Sequence, residues 1–150
     1  RLGISIVNVA CQDLQLPREE NQQANFDRIL LDAPCSGLGV LRRNPDIKWH
    51  TSVAQLTRQS KVQKQILGNL ADWIKPGGIL VYAVCSPEPE ENEAVIHQFL
   101  KKHSDFGIND HYGQLPNEIC KTAITKGFFK TFPCLTQMDG FFSVRLQRIS

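Results

Sequence analysis

The stretch FDRILLDAPCSG, residues 26–37, decides the fold. Its centre is a continuous apolar run, Ile29 to Leu31, which is typical of a strand buried in a parallel sheet. Pro34 ends the strand, and the many Gly, Pro and Asn residues that follow predict a loop over residues 36–50. Asp32 and Cys35 come directly after the apolar run. We therefore expect a parallel strand that ends in an acid and a thiol.

A second stretch, KPGGILVYAVCSPEPEEN, repeats this arrangement over residues 75–92. KPGG predicts the end of a helix, ILVYAV predicts a buried strand, and Cys85 follows that strand. Ligands of open α/β sheets bind beyond the carboxyl ends of the strands. A single cysteine is more often a buried structural residue. Two cysteines at the same edge of a sheet instead predict a reactive site.

The remaining patterns place helices and strands around these two stretches. A helix is predicted from Thr51 or Ser52 to Trp73, another within EENEAVIHQFLKKH (residues 90–103), and strands at residues 4–10 (ISIVNVA) and 139–148 (DGFFSVRLQR). Residues 105–137 show no clear pattern. The alternation of strands and helices predicts an α/β fold with a mostly parallel sheet and helices on both faces.

Bulk properties narrow the class of protein. The 150 residues, 41% of them hydrophobic, predict one globular domain, and no apolar run is long enough to cross a membrane. A net charge of +2 is too small to indicate a nucleic-acid partner by itself. The five cysteines form no CxxC pair or zinc-ligand cluster, so we expect reduced thiols in the cytoplasm and no metal.

Two longer motifs carry a resemblance to a known family. DAPCSGLGVLRRNPDIKW (residues 32–49) and CSPEPEENE (residues 85–93) resemble the fourth and sixth motifs of the Sun/Fmu (RsmB-like) family of RNA cytosine-5 methyltransferases. KPGGILVY and MDGFFSVRL extend the resemblance over residues 7–148. It implies a partial Rossmann-like, S-adenosylmethionine-dependent methyltransferase fold.

The resemblance also implies which part of such a protein this is. The chain begins at Arg1 and its only methionine is Met138. We expect residues 1–150 to be the C-terminal portion of a catalytic domain, with the Gly-rich cofactor loop and an N-terminal RNA-binding region upstream. We also expect the isolated chain to bind the cofactor poorly and to be inactive.

Within this family the resemblance assigns roles to single residues. Cys85 matches the nucleophile and Cys35 the thiol linked to product release. Related DNA enzymes use the proline-cysteine thiol as nucleophile, which makes Cys35 a rival for that role. Asp32, with Pro34 beside it, matches the acid that contacts cofactor and cytosine. Asp13 resembles the acid near the adenosine, although it could simply begin a loop.

The loop after Cys35 contains the predicted RNA contacts Arg42, Arg43, Lys48 and Trp49, because basic and aromatic side chains suit phosphates and bases. The alternative is a solvated loop. The acidic EPEEN cluster is interpreted as a helix start rather than a metal site. Cys11, Cys120 and Cys134 lie in no motif and are interpreted as structural.

Three classes of function remain open on the sequence. The first is cytosine-5 methylation of RNA, with small-subunit rRNA as the expected substrate and tRNA as the alternative. The second is a methyltransferase-like domain that binds RNA without catalysis. The third is an unrelated thiol hydrolase, which would need a histidine beside a cysteine. No histidine stands beside Cys35 or Cys85 in the sequence.

Overall fold

The computed structural model describes residue 3 and residues 5–17, 26–112 and 115–149, with the backbone alone at 117 and 120. None of the helices in these ranges is long and apolar enough to span a membrane. The elements, in chain order, are β1 (Phe26–Asp32), a 3₁₀ turn (Leu38–Val40), α1 (Ile47–His50), α2 (Val53–Ala71), β2 (Ile74–Val84), α3 (Glu93–Lys102), β3 (Phe106–Ile108), α4 (Asn117–Ala123), β4 (Ile124–Thr125), β5 (Phe128–Thr131), α5 (Pro133–Thr136) and β6 (Phe141–Arg148).

The strands form one sheet in the order β1-β2-β6-β5-β4, with β3 also paired to β6. The α/β class is confirmed. The sheet differs from the predicted, mostly parallel one, because only β1 and β2 pair in parallel and the other described pairings are antiparallel. The short connections from β4 to β5 and from β5 to β6 account for two of these antiparallel pairs, since parallel neighbours need crossovers of a dozen residues or more.

Two long helices cover one face of the sheet. Ser52 caps α2 by accepting a hydrogen bond from the Gln55 backbone N–H at 3.2 Å, which confirms the predicted helix start. Both helices contribute apolar side chains to one core with β2 and β6, and this removes a large apolar area from water. The core residues are Ile66, Leu67 and Leu70 of α2, Val95, Ile96 and Phe99 of α3, Leu80, Tyr82 and Val84 of β2, and Phe142, Val144 and Leu146 of β6.

The opposite face of β1 lacks such a cover in the described residues. Leu30 is 71% exposed and Arg28 is also exposed, whereas Leu31 on the core side is buried. No helix among the described residues therefore covers this face of β1. β1 is also less buried than its apolar sequence predicted, because it forms the edge of the described sheet.

The strand predicted at residues 4–10 is wrong for residues 5–10, while Ile4 lies outside the described residues. Ile6 and Val9 are 90% and 93% exposed. A strand requires a hydrogen-bonding neighbour, and among the described residues β1 pairs only with β2. Further along, the carbonyl groups of Leu14 and Leu16 accept hydrogen bonds from Asn69 of α2.

The region without a clear sequence pattern contains short elements, β3 to α5. β4 and β5 form a hairpin whose two turn residues, Lys126 and Gly127, have φ of 53° and 79°. Two consecutive positive φ values are the mark of the tight turn that suits twisted antiparallel strands. Elements of two to seven residues are too short for hydrophobic periodicity to be detected. The strand predicted after Asp139 is confirmed as β6.

Candidate active site

The candidate site lies where β1 and β2 end side by side. The parallel pairing continues past the strands, since Ala33 N–H donates to the Ala83 carbonyl at 2.9 Å. Cys35 follows the end of β1 and Cys85 follows β2. Their sulfur atoms are 3.2 Å apart, within hydrogen-bonding distance. The prediction that both cysteines meet at one edge of the sheet is confirmed.

The surroundings of Cys35 keep its thiol protonated. Burial raises the pKa of the Cys35 thiol to about 12, with further contributions from its hydrogen bond to Cys85 and from the charge of a Cys85 thiolate. Backbone N–H groups of Gly37 and Cys85 oppose this shift without cancelling it. Cys35 therefore keeps its proton at neutral pH. It can donate that proton in a hydrogen bond to an ionised Cys85.

Two glycines allow the loops around Cys85 to approach each other. Gly39 N–H donates to the Cys85 carbonyl at 2.9 Å, and Gly140 N–H donates to the Gly39 carbonyl at 2.8 Å. A Cβ on Gly39 would lie 1.9 Å from the Gly140 carbonyl oxygen, which is closer than atoms can pack. The close approach explains why glycine stands at both positions, in the GLG stretch and in DGFF.

A buried carboxylate that the sequence analysis missed links the two cysteine loops. Glu91 has no exposed surface, and its oxygens accept hydrogen bonds from Ser36 N–H at 2.8 Å and from the Ser36 hydroxyl at 2.6 Å. The EPEEN cluster was interpreted as a helix start, but α3 begins only at Glu93. The one available signal, an acid six residues after Cys85, fits a helix N-terminus equally well.

Buried side chains from α2 and β2 complete this network. Gln63 donates both to Glu91 at 3.1 Å and to the Pro34 carbonyl at 2.8 Å. The Tyr82 hydroxyl donates to the Glu91 carbonyl at 2.6 Å. Burial raises the pKa of Tyr82, and the charges of Glu91 and Cys35 raise it further. The tyrosine therefore acts here as a hydrogen-bond donor.

The three residues predicted to contact the cofactor lie on the surface. Asp32 and Pro34 are exposed at the carboxyl end of β1, beside the cysteine pair in sequence. The Asp13 carboxylate accepts a hydrogen bond from the Gln15 backbone N–H at 2.9 Å, as in a side-chain-closed turn. This contact is what a residue that begins a loop would make. Contact of Asp13 or Asp32 with a cofactor stays a prediction.

The predicted RNA loop is irregular apart from the 3₁₀ turn and α1. Trp49 is 75% exposed, and the Lys48 ammonium lies 4.5 Å from the centre of its ring. Arg43 forms an ion pair of 2.7 Å with Asp139. Arg42 approaches the Gln137 carbonyl at 3.4 Å. RNA contact by these four residues stays a prediction, with Arg43 already partly neutralised.

The loop also borders an open cavity. The cavity has a volume of about 440 Å³ and is lined by Ser36, Arg43 and residues of α1 and α2. The predicted RNA loop therefore contributes to a cavity that reaches the residue after Cys35.

Other kinds of site find less support among the described residues. No group of three His, Cys, Asp or Glu side chains in these ranges could hold a metal ion. All four histidines are described, and none of them donates a hydrogen bond to, or accepts one from, Cys35 or Cys85 in this part of the chain. A thiol hydrolase would need that contact. Cys11 and Cys134, interpreted as structural, are in fact exposed.

Comparison with known proteins places the site in a family. Residues 1–147 match the family model described as 16S rRNA methyltransferase RsmB/F. The chain belongs to the RsmB/F family. The predicted Sun/Fmu (RsmB-like) membership is thereby confirmed.

Similar proteins of the RsmB/F type are longer than this chain. It is 35% identical to the probable ribosomal RNA small subunit methyltransferase B of Bacillus subtilis, over 99% of this chain and 33% of that protein. It is 39% identical to the Salmonella arizonae ribosomal RNA small subunit methyltransferase B, over 97% and 32%. The solved structure of PH0851 is similar with a TM-score of 0.84 and 30% identity, over 96% of this chain and 31% of that one. The chain thus spans about a third of these relatives' length.

Proposed function

We propose that the protein containing this chain methylates carbon 5 of a cytosine in small-subunit rRNA, in the cytoplasm, and that Cys85 is the nucleophile. The observation that carries the proposal is the pair of thiols, 3.2 Å apart, at the carboxyl ends of β1 and β2. The choice of rRNA rests on the names of the similar proteins from Bacillus subtilis and Salmonella arizonae.

The reaction needs a covalent step because carbon 5 of cytosine is a poor nucleophile. The Cys85 thiolate adds to carbon 6, and the electron pair of the ring double bond moves towards carbon 5, which can then attack a methyl group. S-adenosylmethionine, when bound, would supply that methyl group, and its methyl–sulfur bond would break to leave S-adenosylhomocysteine. The carbon-5 proton then passes to solvent water, the double bond re-forms, and the sulfur–carbon bond breaks to return the Cys85 thiolate. One difficult step is divided into easier ones.

Cys35 suits a role in that last step. A thiolate leaves more readily when a hydrogen-bond donor stabilises its charge. The Cys35 thiol is protonated and its sulfur lies 3.2 Å from that of Cys85, so it is placed to donate to the departing thiolate. The same high pKa argues against Cys35 as the attacking group, since the thiolate is the nucleophilic form.

Part of a cofactor and base site fits the described residues. The exposed Asp32 carboxylate at the end of β1 can accept hydrogen bonds from an amino group, either of the cofactor or of cytosine. Pro34 beside it offers an exposed apolar surface. Asp13 fits less well, because its carboxylate already accepts the Gln15 N–H.

We propose that RNA runs along the loop of Arg42, Lys48 and Trp49. Trp49→Ala should weaken RNA binding by about 1–3 kcal/mol, because a stacked base loses its aromatic partner. Fluorescence anisotropy with a labelled rRNA fragment measures this. Val53→Ala, which removes another largely exposed apolar side chain nearby, is the control. Equal affinities of Trp49→Ala and the control would refute the contact.

The covalent mechanism is tested with RNA that contains 5-fluorocytosine, because fluorine replaces the proton whose loss releases the enzyme. The protein that contains this chain is incubated with this RNA and the cofactor, and adducts are resolved in denaturing gels. We expect an adduct with wild type and Cys35→Ala but none with Cys85→Ala. The opposite pattern of the two variants would assign the nucleophile to Cys35. No adduct with wild type would refute cytosine-5 chemistry.

The identity of the RNA is tested separately. Mapping of 5-methylcytosine in cells that lack the gene should show one rRNA position unmodified. Loss of a tRNA position instead would replace the proposed substrate.

A further inference from the structure

Glu91 has no role in the mechanism proposed above, although it lies between the two cysteine loops. A fully buried carboxylate is unusual, since removing its charge from water carries a large energetic penalty. None of the ion pairs found among the described residues involves Glu91. Neutral hydrogen-bond donors compensate the Glu91 carboxylate for its lost contact with water.

Those donors fix the residues on both sides of Cys35. Ser36 donates its backbone N–H and its hydroxyl to the two carboxylate oxygens, at 2.8 and 2.6 Å. Gln63 donates to Glu91 at 3.1 Å and to the carbonyl of Pro34 at 2.8 Å. The backbone before and after Cys35 is therefore fixed by a single buried carboxylate and its amide partner.

The backbone of Glu91 is fixed to β2, the strand that Cys85 follows. The Tyr82 hydroxyl donates to the Glu91 carbonyl at 2.6 Å, and the hydroxyl of Ser86, next to Cys85, is in hydrogen-bonding contact with that of Ser36 at 3.2 Å. The distance between the two sulfur atoms thus depends on a chain of contacts through Glu91.

Direct contact of Glu91 with a substrate is excluded by burial. The residue has no exposed surface, and both of its oxygens already accept hydrogen bonds from the protein. Any effect on the reaction must pass through its neighbours.

We propose that Glu91 is a positioning residue that, through Ser36 and Gln63, holds the Cys35 thiol beside Cys85 so that Cys35 can assist product release. The inference rests on the proposed function. It adds a role for a buried carboxylate: Glu91, in the sixth motif, sets the position of Cys35, in the fourth motif.

The test separates attack by Cys85 from release. The protein that contains this chain is mixed with ordinary cytosine RNA and cofactor, and the denaturant-stable complex is followed with time. Glu91→Ala should form the complex at nearly the wild-type rate but release it on the order of 100-fold more slowly, because a reacting group displaced by about 1 Å loses that much rate. The matched control is Glu90→Ala, which removes the adjacent, exposed carboxylate.

A conservative variant distinguishes position from charge. Glu91→Gln keeps an oxygen that can accept from Ser36 N–H and Gln63, and its amide can donate to the Ser36 hydroxyl. We expect release close to the wild-type rate. Slow release in Glu91→Gln, equal to that in Glu91→Ala, would show that the charge matters and would overturn the positioning role.

A double mutant tests whether Glu91 acts through Cys35. In the Cys35→Ala background, Glu91→Ala should slow release no further, since coupled residues are not additive. Additive slowing would overturn the inference. If Glu91→Ala shows no cooperative thermal transition, Ser36→Ala replaces it, because it removes only the hydroxyl contacts of Ser36, keeps the backbone N–H bond to Glu91, and should slow release in the same direction.

The result also separates this inference from the function on which it rests. A wild-type protein that forms and releases the complex, with Glu91→Ala releasing at the same rate, refutes the inference alone. A wild-type protein that forms no adduct with 5-fluorocytosine RNA refutes both.

Discussion

The surroundings of Cys35 lower the reactivity expected of its thiol. Burial and the neighbouring sulfur raise the pKa of Cys35 to about 12. The thiol therefore stays protonated until the pH approaches that value. At pH 8 we expect iodoacetamide to modify Cys35 more slowly than an exposed thiol, because only the thiolate attacks the reagent.

The measurement is peptide mass mapping at successive times over pH 7 to about 11, a window below the Cys35 pKa. Labelling of Cys35 should accelerate with pH throughout this window. The exposed Cys11 and Cys134 serve as internal standards for thiols open to solvent. Earlier labelling of Cys35 than of Cys85 at pH 8 would contradict the assignment of Cys85 as nucleophile.

At the residue scale, the sequence predicted the two cysteines of the site but not the residues that hold them in place. Cys35 and Cys85 could be found because strand ends have a strong local signal. Glu91, Gln63 and Tyr82 could not, because their role depends on contacts between residues that are distant in sequence, such as the 55 positions between Ser36 and Glu91. Nothing in a local pattern distinguishes a buried glutamate from a solvated one.

The loops after β1 and β2 depend on a contact between two glycines, and this gives a prediction at the scale of elements. Gly39→Ala should destabilise the protein by about 3 kcal/mol, because its Cβ would overlap the Gly140 carbonyl oxygen and backbone must move. Gly68→Ala within α2 is the matched control. The nearest atom to its Cβ is the His103 Nε2 at 3.9 Å, so we expect stabilisation by about 1 kcal/mol from helix propensity.

Urea denaturation of both glycine variants measures the free energy of unfolding. The two changes add the same methyl group, so opposite signs would isolate the effect of the close approach. A neutral Gly39→Ala, with activity retained, would mean that the two loops can separate without consequence.

Prediction of the elements succeeded where a pattern was long enough. α2, α3 and β6 were predicted because each presents a repeated apolar face over eight residues or more. β3 to β5 were missed because each contains four residues or fewer. Residues 5–10 have the composition of a strand, yet β-branched residues cannot form one without a neighbour to accept their hydrogen bonds.

At the scale of the whole molecule, the two faces of the sheet differ in how far helices bury them. α2 and α3 bury one face, while Leu30 on the other face of β1 is 71% exposed. β1 is also the strand whose end presents Asp32 and Pro34. The expected cofactor contacts therefore lie at the least enclosed edge of the described sheet. The sequence could not predict this exposure, because an apolar strand has the same composition whether or not a partner covers it.

This openness gives a prediction about cofactor binding. The 150 residues contain no GxGxxG stretch, and methyl donors of this type are held in α/β folds by a Gly-rich turn as well as by acids at strand ends. We expect isothermal titration of the isolated chain with S-adenosylmethionine to show no saturable binding at micromolar concentrations. The longer protein that contains the chain should bind in that range, and Asp32→Asn in it should weaken binding. Micromolar affinity of the isolated chain would show that Asp32, Pro34 and their neighbours suffice to hold the cofactor.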